Sequence, residues 1–178
     1  MTLLSPVDTA AIRTLVEISA EPEQVRGAMG RFPAGIAAIC AVVDGVRVGM
    51  VASSFSAGVS YAPPMVMFSV QNASSTWPVL RRASRIGVSI LDATQADACM
   101  QLASRSRDRF EGLEVTETDG GSLFVGGATM WLDCEVVSTT PAGDHEIIVL
   151  QVHAMSVEHA GAPLVYHERR FHSLSALA

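Results

Sequence analysis

The 178 residues, 49% of them hydrophobic, suffice for one domain whose apolar core needs neither metal nor disulfide. A formal net charge of -6, with only 12 Lys and Arg, offers no positive field for a phosphate backbone and argues against nucleic acid as a partner. The longest apolar stretches, 35–43 and 147–152, fall far short of the roughly 20 residues of a membrane-spanning helix, and Asp8, Arg13 and Glu17 interrupt any secretory core near the start; a soluble cytoplasmic protein with no membrane association is expected.

Residues 9–18 and 22–30 carry helical patterns, the second with Pro22 in its first turn and Gly30 beyond its last, so 1–24 reads as a helical lead-in. The body then changes period. Residues 34–43 and 46–53 are apolar, β-branched runs joined by Asp44-Gly45, a dipeptide suited to a two-residue hairpin turn. Residues 65–70 follow Pro63-Pro64 as another strand, 77–83 form a short helix, and 85–91 a further strand. Asp92 and Gln95 have capping-box spacing and open a helix to about residue 103. Residues 128–139 and 145–158 make two long strands around the turn Pro141-Ala142-Gly143-Asp144. Several non-sequential strands with helices outside, and no βαβ alternation, predict a mainly β fold: a closed antiparallel β-barrel with flanking helices.

The segment Gly49-Met50-Val51-Ala52-Ser53-Ser54-Phe55-Ser56 ends a strand in small residues and hydroxyls, so that a flat polar ring can reach the backbone; an ordinary Ser-rich loop has the same composition. Asn72-Ala73-Ser74-Ser75-Thr76 precedes a helix start, where the hydroxyls can meet an anion, cap the helix, or do both. His145 stands at a strand mouth after a turn, either as a solvated loop histidine or as a donor to a bound carboxamide. The other histidines make no zinc-protease pair: Val149 stands where His145-Glu146 would need a second His, and His172 comes one residue too late after His167-Glu168. There is no dinucleotide fingerprint, P-loop or nucleophile elbow, and Cys40, Cys99 and Cys134 are too scattered for a disulfide framework and read as buried reduced thiols. Any redox chemistry therefore requires a cofactor held in the barrel itself.

Six segments in order resemble the flavin reductase family with the FMN-binding split-barrel fold, the small partners of two-component flavin monooxygenases. They are Arg31-Phe32-Pro33-Ala34-Gly35; Gly49 to Phe55 with Pro63-Pro64; Asn72 to Trp77; Asp108-Arg109-Phe110; Gly143-Asp144-His145; and Val165-Tyr166 followed by Arg169-Arg170-Phe171. The resemblance covers a domain of 25–174 and leaves 175–178 as a tail. It implies a homodimer that transfers hydride from NADH (or NADPH) to FMN or FAD, with reduced flavin diffusing to a partner monooxygenase. The flavin-contacting positions it implies are Pro33, Gly49, Met50, Val51, Ala52, Ser53, Ser54, Ser74, Ser75 and Thr76, with His145 as the catalytic residue facing the nicotinamide. Arg109 is placed either beside the flavin or in a salt bridge bracing the barrel. The chain departs from the family where Ser53 to Pro64 runs one residue long with Ala62 in place of an Asp, and Gly58 can absorb the extra residue through a positive φ. Two other readings fit the same barrel: a non-catalytic flavin- or haem-binding module, against which the Gly-Asp-His setting of His145 argues, and a pyridoxamine-phosphate oxidase-like enzyme, which calls for a more basic phosphate site than 74–76.

Overall fold

The computed structural model describes residues 21–157 and 161–176; the helix expected over 9–18 lies outside them. Helix α1 (Pro22–Met29) buries none of its residues, and the domain boundary expected between 24 and 25 falls inside it. After β1 (Ala34–Gly35), the hairpin of β2 (Ala37–Val43) and β3 (Val46–Ala52) turns on Asp44 (φ 52°) and Gly45 (φ 78°), as the dipeptide predicts. There follow β4 (Ser56–Tyr61), β5 (Pro64–Gln71), α2 (Trp77–Leu80), β6 (Ile86–Ile90), α3 (Ala96–Leu102), β7 (Val115–Glu117) and β8 (Leu123–Val125). Two 13-residue strands, β9 (Met130–Ala142) and β10 (His145–Val157), precede β11 (Leu164–His167) and β12 (Arg170–Ser173).

Seven strands form one antiparallel sheet in the order β3-β2-β6-β9-β10-β5-β4, with β1-β11-β12 and β7-β8 as smaller sheets. Strand β2 is buried on both faces and sorts its side chains by period two. Ala37, Ile39, Ala41 and Val43 enter a core with Phe68, Trp77, Leu132, Ile148 and Leu150, while Ala38 and Cys40 enter a second core with Leu91, Leu102, Phe110, Leu123 and Leu164. All three cysteines are free and buried; burial pushes the Cys40 and Cys134 thiols up to about 12 and Cys99 to about 11, so they stay protonated.

The expected closed barrel is not what forms: the ladder is open, with β3 and β4 as its unpaired edges. At one edge the chain leaves β3 at Ser53, and Ser54 stands in for a strand, its Oγ donating to the Ser69 carbonyl (2.9 Å) and accepting from the Ser69 N–H (2.9 Å). At the other, Gly58 takes the positive φ (72°) that a glycine allows, and the β4–β5 register slips between Ser56 and Ser60.

Two local expectations are also corrected. The turn between the long strands is only Gly143-Asp144, because Pro141 and Ala142 pair with Glu146 and His145; Pro141 is tolerated there because β6 pairs β9 only at 130–134 and leaves this end an edge. Half of the capping box forms: Gln95 Oε1 accepts from Asp92 N–H (2.9 Å), but the Asp92 carboxylate takes the N–H and hydroxyl of Thr94, and α3 starts at Ala96. Asp92 is held by a bridge to Pro163, which favours this tight turn over an earlier helix start. No helix among the described residues is long and apolar enough to cross a membrane.

Candidate functional site

The open edge of the sheet creates the site. Where β3 ends and β5 runs on, a cleft of about 330 Å³ is lined by Met50, Val51, Ala52, Ser53 and Ser54 from one edge, Ser74, Ser75 and Thr76 from the loop before α2, and Arg109 and His145. Of the expected residues only Pro33 and Gly49 stand outside the lining. Pro33 is exposed in the link between α1 and β1. Gly49 is buried, and a Cβ there would lie 2.6 Å from Cys40 Sγ and 2.7 Å from the Phe110 ring, so its glycine serves close packing.

The hydroxyls of this cleft divide by what they already hold. Ser74 Oγ accepts from the Trp77 N–H (3.2 Å) at the start of α2. Thr76 makes no side-chain cap; its Oγ1 accepts from Arg109 Nη1 (2.8 Å). Arg109 also donates to the Gly49 carbonyl, and through Nε to the Ser104 carbonyl (2.7 Å). Among the described residues it pairs with no carboxylate, so the expected bracing salt bridge does not form, and the guanidinium lines the cleft. Ser53 and Ser75 have no protein partner among the described residues and keep their hydrogen-bonding capacity for a ligand. Arg105 also lines the cleft, without a partner among the described residues. Sequence reasoning missed it, although Arg105, Arg107 and Arg109 recur every second residue just past a helix.

A second, larger cleft of about 770 Å³ opens from the first and shares Ser53, Ser54, Gln71 and His145 with it. Its walls are Val25, Met29 and Phe32 from α1 and its exit, with Ala34 and Tyr166; Arg26, Asp144 and Arg169 bring the charge. Met29 (65% exposed) and Phe32 (79%) are large apolar side chains left facing this opening.

His145 joins the two clefts. Its Cα pairs with Gln71 at the end of β5, and the turn before it is clamped by Asn72, whose N–H donates to the Asp144 carbonyl (3.0 Å) and whose Nδ2 donates to the Gly143 carbonyl (3.3 Å). Asp144 Oδ1 lies 2.7 Å from His145 Nδ1. The hydrogen bond from His145, and then its charge, hold the Asp144 carboxyl below the ordinary range, with a lesser contribution from the charge of Arg26. In the tautomer that donates from Nδ1 to an ionised Asp144, Nε2 is the acceptor nitrogen of the ring.

The pattern of the flavin reductase like domain matches residues 29–175. A flavin reductase from Pseudomonas putida is 32% identical over 170 residues, 95% of this chain and 99% of that one. The reductase subunit HsaB of a flavin-dependent monooxygenase from Rhodococcus jostii is 30% identical over 151 residues, covering 85% of this chain and 77% of that one. Among solved structures, Streptomyces globisporus NADH:FAD oxidoreductase SgcE6 in complex with NAD and FAD fragments is similar with a TM-score of 0.83 at 27% identity, over 92% of this chain and 98% of that one. With a lined cleft at the open sheet edge and a match across nearly the whole chain, the protein belongs to the flavin reductase like domain family.

Proposed function

We propose that the protein is an NAD(P)H:flavin oxidoreductase that reduces FMN or FAD, with NADH as the preferred donor, and supplies reduced flavin to a partner monooxygenase. The observation that carries this reading is the junction of two clefts at His145, one rich in hydroxyls and guanidinium groups, the other wide and apolar-walled. The residues present fit a flavin: β3 offers approachable backbone and small side chains, Ser53 and Ser75 have hydroxyls uncommitted among the described residues, and Arg105 and Arg109 suit a phosphate. A bound flavin supplies the hydride-accepting ring.

The chain itself binds and orients. Arg109, already tied to three oxygens, presents its charge without reorganising. His145, fixed at Nδ1 by Asp144, directs Nε2 at a nicotinamide carboxamide in the shared volume; positioning is its role, and no side chain needs to form a covalent intermediate. Family membership supports taking the open sheet as the split barrel of its relatives. Exposed Tyr61, Val137 and Met155 on the strands support a homodimer, and the acidic, disulfide-free chain suits the cytoplasm.

The test mixes purified protein with NADH and FMN and follows nicotinamide absorbance. Turnover is expected; a tightly yellow one-to-one protein that never oxidises NADH overturns the reading. His145→Ala should slow anaerobic flavin reduction by up to about a hundredfold through misplaced nicotinamide, with the flavin dissociation constant little changed. Unchanged reduction kinetics with weakened flavin binding would put His145 on the wrong side of the flavin.

A further inference from the structure

The hairpin turn between β11 and β12 carries two consecutive non-glycine residues at positive φ, Glu168 (48°) and Arg169 (65°). Two-residue turns of this kind are the province of Asn-Gly and Asp-Gly, and a long side chain in the left-handed region is strained. Such strain persists only where the surroundings hold it in place, and it is enriched at ligand clamps. Here the surroundings are visible. Glu168 N–H donates to the Gly30 carbonyl (2.8 Å), the Glu168 carboxylate pairs with Arg31 (3.3 Å), and His167 Nε2 lies 3.1 Å from the Arg31 carbonyl. The turn is thereby pinned to the exit of α1, and the two form one wall of the larger cleft. Arg169, the next residue, lines that cleft and has no hydrogen bond or ion pair to any described residue. Arg26, one helical turn before Gly30, lines it too. Among the described residues Asp144 is the sole carboxylate in the lining, and its partner is His145. In a chain of net charge -6, this concentration of cations around an open cleft is local and directed.

We propose that Arg169, assisted by Arg26, is the binding subsite for the diphosphate of an adenine dinucleotide whose other half lies at His145. This rests on the function proposed above and adds the residues that select a dinucleotide over its truncated half. A guanidinium suits this chemistry because its fork donates two parallel hydrogen bonds to phosphate oxygens. The apolar side chains of Phe32 and Met29 give an adenine or ribose face something to rest on. The diphosphate has two sources, the nicotinamide donor and FAD, and the same chemistry serves either.

The experiment uses Arg169→Gly, which removes the guanidinium and relieves the positive φ, so the variant should fold at least as well as the wild type. ADP-ribose is titrated calorimetrically into the FMN-saturated protein. It should bind the wild type, bind Arg169→Gly about tenfold more weakly, and recover in part with Arg169→Lys. Arg26→Ala should weaken it less, since Arg26 is shared with Glu23 (2.7 Å). Two arms separate the sources. A rise in the NADH KM with FMN as acceptor, larger than any fall in kcat, assigns the subsite to the donor. A loss confined to the affinity for FAD, with that for FMN kept, assigns it to the flavin. Failure of the wild type to bind ADP-ribose overturns the proposal, as does an Arg169→Gly variant unchanged in ADP-ribose affinity, NADH KM and FAD preference. If the wild type binds ADP-ribose through Arg169 yet oxidises no NADH, the subsite stands and the reductase reading falls.

Discussion

The two clefts that meet at His145 are built in opposite ways. In the hydroxyl-lined cleft, side chains are tied to one another before any ligand arrives: Arg109 to Thr76, Gly49 and Ser104, Ser74 to the start of α2, and Ser54 to Ser69. In the larger cleft, the walls are exposed apolar groups from α1 and its exit and a guanidinium without a partner among the described residues, standing on a pinned turn. A preorganised site loses little freedom on binding, whereas an open one must order its ligand and itself. On the function proposed above, the first suits recognition of a ring and phosphate at fixed geometry, and the second suits a donor that must enter and leave within each cycle.

The comparison breaks hardest at Arg109. Arg109→Ala removes a cation tied to three oxygens and orphans the Gly49 and Ser104 carbonyls. Flavin affinity should fall about 10- to 100-fold, as expected for a charged hydrogen bond worth about 1.5–3 kcal/mol. The affinity for ADP-ribose in the larger cleft should hold. Flavin fluorescence titration reads the first and calorimetry the second. Equal losses in both would show that the clefts do not act separately, and a lowered Tm with unchanged flavin affinity would make Arg109 only a brace.

Gly49→Ala reaches the same cleft from behind. The added methyl meets Cys40 Sγ and the Phe110 ring at under 3 Å, and overpacking of this kind costs about 1–3 kcal/mol. For a domain of this size that is a Tm lower by about 2–4 °C per kcal/mol. Because the Gly49 carbonyl anchors Arg109, flavin binding should weaken with it. Gly49 thus affects the ligand through packing, and a variant with normal flavin affinity but the full stability loss would confine its role to the core.

What the sequence made readable follows the same division. Residues 49–56 and 72–76 are contiguous runs whose small and hydroxyl side chains announce a lined strand edge, and ten residues named from such runs and from single motifs do converge on one cleft. The larger cleft escaped notice because its parts are remote in sequence: His167 reaches the Arg31 carbonyl across 136 positions, and neither α1 nor the 168–169 turn has a pattern that foretells the other. The openness of the sheet was invisible for a related reason. Alternating strands predict that a sheet curls but not whether its edges meet, and nothing in the sequence pattern foretells that the Ser54 hydroxyl reaches the N–H and carbonyl of Ser69 where β3 has ended. Short strands such as β1, β7 and β8 fall below the length at which periodicity can be counted.

Ser54→Ala tests that hydroxyl. It leaves the Ser69 N–H and carbonyl without their partner at a solvent-reached edge, where water can substitute, so the expected loss is about 1 kcal/mol, or about 2–4 °C in Tm. Slowed hydrogen exchange elsewhere in the sheet should be unaffected, while exchange at Ser69 should quicken. Flavin affinity should fall only modestly, because Ser53 and Ser75 hold the uncommitted hydroxyls. A loss of flavin affinity greater than that of Ser75→Ala would show that Ser54 bonds the ligand as well as the strand.

The smallest effect belongs to the Asp144–His145 pair, where the direction of the pH dependence is the informative part. The Asp144 carboxyl is exposed and its folded value is depressed, so the pair contributes above the ordinary Asp value of about 3.9 and is lost as pH falls through the lower folded value. Between neutral pH and about pH 5, Asp144 therefore stays ionised and keeps the imidazole proton on Nδ1. Stability should show no step from this group in that interval, and the NADH KM should acquire an acid limb from Asp144 only below it. Asp144→Asn keeps an acceptor oxygen beside Nδ1 but removes the charge, so it should retain the ring orientation and change the NADH KM only a few-fold. Asp144→Ala removes both and should do worse, because the freed imidazole can present either nitrogen to the junction of the clefts. The two variants, compared across pH 5 to 8 in anaerobic flavin reduction, separate orientation from charge. If Asn and Ala behave alike and both match the wild type, the carboxylate does not position His145, and the histidine acts without it.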